Sequence, residues 1–233
     1  MPRHWCGWIY PVRGFVPPDE FIPYAEQTGC IQWITLWVLN EAARQCVEWA
    51  GNGASIDSSV NISARDLMNP EFPELYADIL RHHSCAPELI SLEITESAML
   101  DDPARALTNL LRLRELGTHL SIDDYGTGYS SLAYLKRLPV EELKIDRSFI
   151  MNMETDHSDA MIVRSTIDLA HNMELRVIAE GVESGSIFSL LQKRGCDMAQ
   201  GYGLSRPVQA AALLQWMQES PWVNPSVKAA TAA

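Results

Sequence analysis

Short apolar stretches alternate with longer segments of helical period along most of the 233-residue chain. Six stretches are predicted as strands, since each is short, apolar or β-branched, and bounded by turn residues. They are residues 55–63, 89–95, 119–123, 142–146, 175–180 and 196–202. Apolar residues at helical spacing predict helices between them, over residues 31–50, 73–83, 103–116, 158–171, 184–194 and 210–217. This alternation indicates parallel βα units, in an open doubly wound sheet or in a (β/α)8 barrel.

The positions of polar residues favour the barrel. A side chain that can bind a metal or move a proton stands at or near the end of almost every predicted strand: Asn61, Glu93, Asp123, Lys144, Glu180 and Gln200. In a barrel the carboxyl ends of all strands converge on one mouth, whereas an open sheet spreads them apart. We therefore expect an α/β fold, a TIM-like (β/α)8 barrel, forming a single domain over residues 1–220. The Pro-, Ala- and Ser-rich residues 221–233 are expected to be a disordered tail.

The chemistry of these side chains points to hard cations. The oxygen ligands available are Asn61, Glu93, Asp123, Asp124 and Glu180. Without His or Cys, such a set suits Mg²⁺ or Mn²⁺ rather than zinc. Two such ions about 3.5–4 Å apart can hold both reacting oxygens of a phosphodiester. Lys144 would position or deprotonate the attacking water or stabilise the developing charge, and Gln200 would orient a ligand.

Each of these residues also has an ordinary explanation when it is considered alone. A carboxylate at a strand end is usually a surface or capping residue. The segment from Asp123 to Gly128 could be merely a turn, since Asp and Gly are turn-forming residues, and Lys144 could be a solvated strand end. The repetition of the pattern at successive strand ends makes a shared site the better interpretation.

Composition limits the kinds of ligand and the cellular compartment that we expect for this chain. Eighteen Lys and Arg against thirty Asp and Glu give a net charge of −12, which disfavours binding to a nucleic-acid polymer. Five cysteines without a CxxC pair indicate reduced thiols in a cytoplasmic chain. No apolar run approaches the roughly 20 residues of a membrane span.

We expect the stripe of Trp33 and Trp37 to belong to the core rather than to an interface.

Six stretches of the chain match known motifs in a fixed order. They are GFVPPDEFIPYAEQTG (14–29), VNISARDL (60–67), LEITES (92–97), IDDYGTGYSSLAYLKRLPVEELKID (122–146), VIAEGVE (177–183) and QGYGLSRP (200–207). With these motifs, the chain resembles the EAL-domain family, the bacterial cyclic di-GMP phosphodiesterases, over about residues 8–207.

The resemblance implies a TIM-like barrel with one antiparallel strand, hydrolysis of cyclic di-GMP to pGpG with two Mg²⁺ or Mn²⁺ ions, and a homodimer. It implies metal ligands at Asn61, Glu93, Asp123 and Glu180. Asp124 would be a further ligand or would orient the water. Lys144 would contact that water beside Asp146, with Gln200 in the same pocket. Glu96 would anchor the DDYGTGYSS loop, while Glu183 either supports the site or opens the following helix.

The chain departs from the family at its N-terminus. The naming signature reads Glu-Ala-Leu-x-Arg-Trp-x-x-Pro, and anchoring it on Trp8 and Pro11 places Arg3 at the Glu and Gly7 at the Arg. The first strand of the barrel and most of the second are expected to be missing or altered, and residues 4–10 are expected to be a remnant of a seventh strand. The chain is also expected to be a piece of a longer protein. Reduced hydrolysis is one expectation; a receptor that binds cyclic di-GMP without cleaving it is the alternative.

Overall fold

The structure, a computed structural model, describes residues 8–10, 13–128 and 132–222. Within these residues the strands are β1 (Trp8–Tyr10), β2 (Gly14–Val16), β3 (Ser58–Ile62), β4 (Ile90–Thr95), β5 (His119–Tyr125), β6 (Glu142–Ile145), β7 (Arg176–Ala179) and β8 (Met198–Ala199). The α-helices are α1 (Pro18–Thr28), α2 (Ile31–Gly51), α3 (Ala64–Met68), α4 (Phe72–His83), α5 (Pro103–Glu115), α6 (Leu132–Leu135), α7 (Arg147–Asn152), α8 (His157–Asn172), α9 (Gly185–Lys193) and α10 (Ala210–Glu219). Short 3-10 helices precede and follow β4, at Pro87–Leu89 and Glu96–Met99.

The strands β3 to β8 form one six-stranded sheet in chain order. The pairs β5–β6, β6–β7 and β7–β8 are parallel. Such pairs need crossover connections, and helices fill these stretches of the chain. The six predicted strands and the α/β class are therefore confirmed, with strand ends that differ by a few residues from the predicted ones.

The N-terminal strands differ from the expectation. β1 lies within the predicted remnant, residues 4–10, but it pairs antiparallel with β2 in a separate two-stranded sheet. Trp8 is opposite Val16, and Tyr10 is opposite Gly14. Residues 4–7, with the replaced signature position Gly7, lie outside the described residues, as does Arg3. The β2 strand was not predicted, because three residues carry too little alternation to be recognised.

The chain divides into two compact units. The first contains the described parts of Met1–Glu93, Asp101–His119 and Gln209–Ala233, and the second contains Ile94–Leu100 and Leu120–Val208. In the second unit, strand β6 buries all its residues from Glu142 to Ile145, and β7 buries Val177, Ile178 and Ala179. Burial of successive residues is expected for parallel strands that are covered on both faces.

The prediction that Trp33 and Trp37 belong to the core is wrong. Both residues lie on α2 with 77% and 58% of their surface exposed. The buried face of α2 instead carries Ile31, Thr35, Leu39, Ala42, Ala43, Gln45, Cys46 and Trp49. This face packs against α4 and β3. Because the helix has apolar residues on two sides, sequence alone did not show which side is buried.

The VNISARDL motif has a clear structural role within the first unit. Ser63 caps α3, since its side chain accepts a hydrogen bond from the backbone N–H of Asp66, 3.2 Å away. The Asp66 carboxylate accepts in return from the Ser63 backbone N–H and from the Thr35 hydroxyl. This capping box ends β3 sharply, directly after Asn61 and Ile62.

No helix among the described residues is long and apolar enough to cross a bilayer. The four cysteines in those residues are all free thiols, and Cys6 lies outside them. Burial raises the pKa of the Cys46 thiol to about 12 and that of Cys196 to about 11. Burial also raises the pKa of Cys85, whereas Cys30 is exposed.

We expect iodoacetamide at pH 8 to modify Cys30 well before Cys46, Cys85 and Cys196. The thiolate is the reactive form, and at this pH less than roughly one thiol in a thousand is ionised where the pKa exceeds 11. Peptide mass spectrometry after timed quenching measures the order. The unfolded chain in urea is the control, in which all cysteines should react at similar rates. Equal rates for Cys30 and Cys46 in the folded protein would contradict the described burial.

Candidate active site

Three carboxylates of the second unit meet around one point. Asp123 and Asp124 come from the end of β5, and Glu180 directly follows β7. One oxygen from each lies within 4.8 Å of the others. Asp123 and Glu180 are buried, while Asp124 is half-buried. Among the described residues, this is the one group of three or more His, Cys, Asp or Glu side chains that is close enough to hold a metal ion.

Lys144 brings a positive charge into the same cluster. It lies on β6, between the strands that carry the carboxylates, and its side chain is fully buried. Its Nζ is 3.0 Å from Asp123 Oδ1 and 2.5 Å from Glu180 Oε1. Lys144 therefore bridges two of the carboxylates away from solvent.

Strand register explains how these residues meet. Lys144 is paired with Ile178, and Ile145 with Ala179, in the parallel ladder of β6 and β7. The Glu180 backbone N–H continues the ladder by donating to the Ile145 carbonyl over 3.1 Å. Carboxyl ends of neighbouring parallel strands lie at the same edge of a sheet. The sheet thus fixes the positions of both backbones before any side chain contributes.

An irregularity in β5 brings two consecutive aspartates to one place. In a regular strand, neighbouring side chains point to opposite faces. The register of β5 against β6 shifts between Ile122 and Tyr125, and Asp124 has a left-handed φ of 54°. Bulges of this kind redirect side chains and occur often beside active sites. Here the irregularity allows Asp123 and Asp124 to place oxygens in the same cluster.

The charge balance of the cluster favours a divalent cation. Three carboxylates face one ammonium group, so the ionised cluster keeps an excess of negative charge in a largely buried place. Like charges held close together repel one another unless a proton or a cation neutralises them. All donor atoms in the triad are hard oxygens, the type that Mg²⁺ and Mn²⁺ prefer. The residues present therefore fit such an ion.

The segment after β5 is held by Glu96. The buried Glu96 carboxylate accepts from the backbone N–H groups of Gly126 and Gly128, each over 3.3 Å. A Cβ atom on Gly128 would lie 2.9 Å from the Glu96 carboxyl carbon, so the segment approaches closely only because glycine stands there. Burial, together with the nearby Glu96 charge, raises the pKa of the Tyr125 phenol. Residues 129–131 of the predicted loop lie outside the described residues.

The other predicted site residues of this unit have varied positions. Asp146 caps α7 by accepting from the Ser148 backbone N–H over 3.0 Å. Gln200 is half-buried at the end of β8, and its backbone carbonyl accepts from Val182 over 3.0 Å. Glu183 is exposed, and α9 begins after the Ser184 cap, so Glu183 does not open that helix.

Two predicted ligands belong to the first unit. Glu93 is buried on β4 with 3% of its surface exposed, whereas Asn61 is exposed on β3. Their role as metal ligands stays a prediction. The sequence pattern did not single out three glycines that follow Glu180 and Gln200, namely Gly181, Gly201 and Gly203. Their close contacts join residues that are far apart in the chain, so only the tertiary structure shows them.

Comparison with known proteins assigns the chain to a family. The sequence model of the EAL domain matches residues 5–207. This chain belongs to the EAL-domain family. It is 42% identical over 208 residues to the bifunctional diguanylate cyclase/cyclic di-GMP phosphodiesterase MucR of Pseudomonas aeruginosa, covering 89% of this chain and 30% of MucR. It is 39% identical over 213 residues to the cyclic di-GMP phosphodiesterase NbdA of the same organism, covering 91% of this chain and 27% of NbdA.

A solved structure agrees with these sequence relatives. The phosphodiesterase MucR in complex with cyclic di-GMP is similar with a TM-score of 0.87 and 40% identity, over 91% of this chain and 86% of that one. The EAL-type, TIM-like fold expected from the sequence is thereby confirmed. The EAL-domain chain spans less than a third of the length of the two curated relatives named above.

Replacing Lys144 by Met is expected to lower the free energy of unfolding of the metal-free protein by about 3–5 kcal/mol. The variant leaves Asp123 and Glu180 buried without their shared cation, and breaking a buried pair has a cost of this size. Urea unfolding in the presence of EDTA measures the change.

Arg44→Met on α2 provides the matched control. Arg44 also bridges two carboxylates, with 3.1 Å to Glu41 and 2.9 Å to Glu48, but its side chain is 49% exposed. Its loss should cost less than about 1 kcal/mol, since solvent screens exposed pairs. Equal effects of the two substitutions would mean that burial does not strengthen the Lys144 bridge.

Proposed function

We propose that this chain binds cyclic di-GMP and hydrolyses it to the linear dinucleotide pGpG with the help of Mg²⁺ or Mn²⁺. One observation carries the proposal: three clustered carboxylates, two of them buried and bridged by Lys144, stand at the ends of β5 and β7 in an EAL-type fold. The relatives MucR and NbdA are named as cyclic di-GMP phosphodiesterases, and both share about two-fifths of their matched residues with this chain.

In this proposal Asp123, Asp124 and Glu180 hold the cations, which the resemblance puts at two. When bound, a divalent cation supplies Lewis-acid chemistry, polarising the phosphoryl group and promoting ionisation of the attacking water. The carboxylates fix its place because their backbones are set by the β5–β6–β7 register and by the bulge at Asp124. Their burial also limits the access of bulk water to the reacting group.

Lys144 has two tasks in the proposed reaction. It holds Asp123 and Glu180 at fixed positions, and its ammonium N–H groups can donate to the attacking water or to a phosphoryl oxygen that gains negative charge. The oxygen of one water forms a bond to phosphorus while the bond from phosphorus to a ribose 3′ oxygen breaks. The attacking water gives up a proton and the departing 3′ oxygen takes one up, so the number of protons is conserved. The cyclic dinucleotide thereby opens to pGpG with one new phosphate monoester.

The remaining residues support this arrangement. Glu96 holds the segment after β5 through Gly126 and Gly128, so Asp124 is fixed from its C-terminal side. Gln200 is proposed to contact the dinucleotide or the water from the end of β8. Asp146 shapes the neighbouring chain by capping α7. Asn61 and Glu93 are proposed as the further metal ligands that the family resemblance implies.

One feature of the sequence favours a second candidate. Arg3 and Gly7 replace the Glu and the Arg of the family signature, which removes one carboxylate and one cationic group. A domain with that loss can bind cyclic di-GMP and signal through partner contacts without cleaving it. The homodimer and the cytoplasmic location are likewise proposals that follow from the resemblance and the cysteine usage.

Incubation of the purified chain with cyclic di-GMP and Mn²⁺ should yield pGpG, measured by ion-pair chromatography. Asp123→Asn should lower the rate at least about a hundredfold, because it removes a charged ligand and one partner of Lys144. Glu48→Gln on the exposed face of α2 is the control and should leave the rate unchanged. Binding of cyclic di-GMP without product would support the receptor instead, and the absence of both would refute the proposed function.

Titration with Mn²⁺ should raise the thermal unfolding midpoint of the metal-free protein, since an ion that binds only the folded state stabilises it. Glu180→Gln should shift the titration to higher Mn²⁺ concentration, because it removes one of three clustered carboxylates. Differential scanning fluorimetry provides the curves, with Ca²⁺ and Zn²⁺ for comparison. A wild-type midpoint that does not respond to Mn²⁺ would remove the basis for a metal site.

A further inference from the structure

The loops that follow the neighbouring strands β7 and β8 are packed backbone against backbone, directly after Glu180 and Gln200. A Cβ atom on Gly201, after β8, would lie 2.3 Å from both the nitrogen and the carbonyl oxygen of Val182, after β7. A Cβ atom on Gly203 would lie 2.6 Å from the carbonyl carbon of Glu183. These distances leave no room for any side chain. Glycine at both positions is therefore required by this close approach.

A third glycine makes an equivalent contact on the other side. Gly181 directly follows Glu180, and its Cβ would lie 2.5 Å from the Arg147 Cβ at the start of α7. Its φ of 70° is also in the left-handed region, which favours glycine. The segment after β7 is thus held between the loop after β6 and the loop after β8.

Backbone hydrogen bonds join the same segments of the chain. The Val182 N–H donates to the Gln200 carbonyl over 3.0 Å, and the Gly203 N–H donates to the Val182 carbonyl over 2.9 Å. On the other side, the Glu180 N–H donates to the Ile145 carbonyl over 3.1 Å. Glu180 consequently lies between two sets of backbone contacts, neither of which depends on its own side chain. Its carboxylate reaches Lys144 from a backbone that has little freedom to move.

Glycines elsewhere among the described residues provide a comparison, because some of them are not crowded. A Cβ atom on Gly185 or on Gly51 would meet nothing within 4 Å. Neither Gly201 nor Gly203 has a φ in the left-handed region, so their own backbone conformation does not require glycine. The close approach to Val182 and Glu183 is the physical reason for glycine there.

We propose that Gly181, Gly201 and Gly203 are positioning residues, which together form a glycine lock that fixes Glu180 for metal binding. The lock, defined by these three residues, acts through the backbone and touches neither substrate nor ion. A Cβ atom at Gly201 would push the Val182 backbone away and with it the Glu180 carboxylate. This proposal rests on the proposed function, because it assigns the lock to the same metal site.

Gly201→Ala is the first test, with Gly185→Ala on α9 as the matched control. The Mn²⁺ concentration that gives half of the maximal thermal stabilisation should rise about 10–100-fold in Gly201→Ala, the range seen when groups that orient metal ligands are altered. It should stay at the wild-type value in Gly185→Ala. A parallel measurement of kcat and KM for cyclic di-GMP should show the loss mainly in kcat at a fixed Mn²⁺ concentration.

A rescue experiment covers the case in which Gly201→Ala fails to fold. Gly181→Ala creates the clash with Arg147, and Arg147→Gly removes the Cβ atom that it would strike. The double variant should recover at least about tenfold of the Mn²⁺ affinity lost in Gly181→Ala, because coupled neighbours are not additive. Part of the loss should remain in the double variant, since alanine has no easy access to the positive φ of this position.

The outcomes separate the two proposals. If the wild-type protein responds to Mn²⁺ and both Gly201→Ala and Gly181→Ala keep its half-maximal concentration, the lock is wrong and the proposed function stands. If these variants only lower the unfolding midpoint in EDTA, without any shift in the Mn²⁺ response, the glycines are structural and the positioning role is refuted. A wild-type protein without a Mn²⁺ response would fail the proposed function itself.

Discussion

The bridge that Lys144 makes between Asp123 and Glu180 is the interaction on which the candidate site depends. A fully buried ammonium group is unfavourable without partners, and two buried carboxylates are unfavourable without a cation. Each group is therefore acceptable only because the others are present. This mutual dependence ties three neighbouring strands to one set of side-chain positions. It also leaves part of the negative charge uncompensated, which is the property that a divalent cation requires.

The surrounding backbone serves the same arrangement. The bulge in β5 turns two consecutive aspartates toward one cluster, although regular alternation would separate them. Glu96 fixes the segment beyond the bulge. The glycine contacts beyond β7 and β8 fix the chain on the other side of Glu180. Irregular backbone thus helps to shape the site, while β6 and β7 pair in regular register beneath it.

Membership of the EAL-domain family gives this geometry a chemical context. The matched part of the chain includes the clustered carboxylates and Lys144, all of which belong to the second unit. Under the proposed function, the altered signature positions Arg3 and Gly7 would weaken metal binding, since one carboxylate is lost.

The sequence by itself determined the α/β class, the six strands of the main sheet and the residues at their ends. It did so because short buried strands, helical periods and strand-end carboxylates are local patterns. Tertiary structure decided which side chains are buried and which distant residues meet, because local sequence patterns do not contain this information. It showed that Trp33 and Trp37 are exposed, because another face of α2, from Ile31 to Trp49, is the buried one. It placed Asp124 beside Asp123 through a bulge, and it showed why glycine stands at position 201, since the contact with Val182 joins residues from different loops.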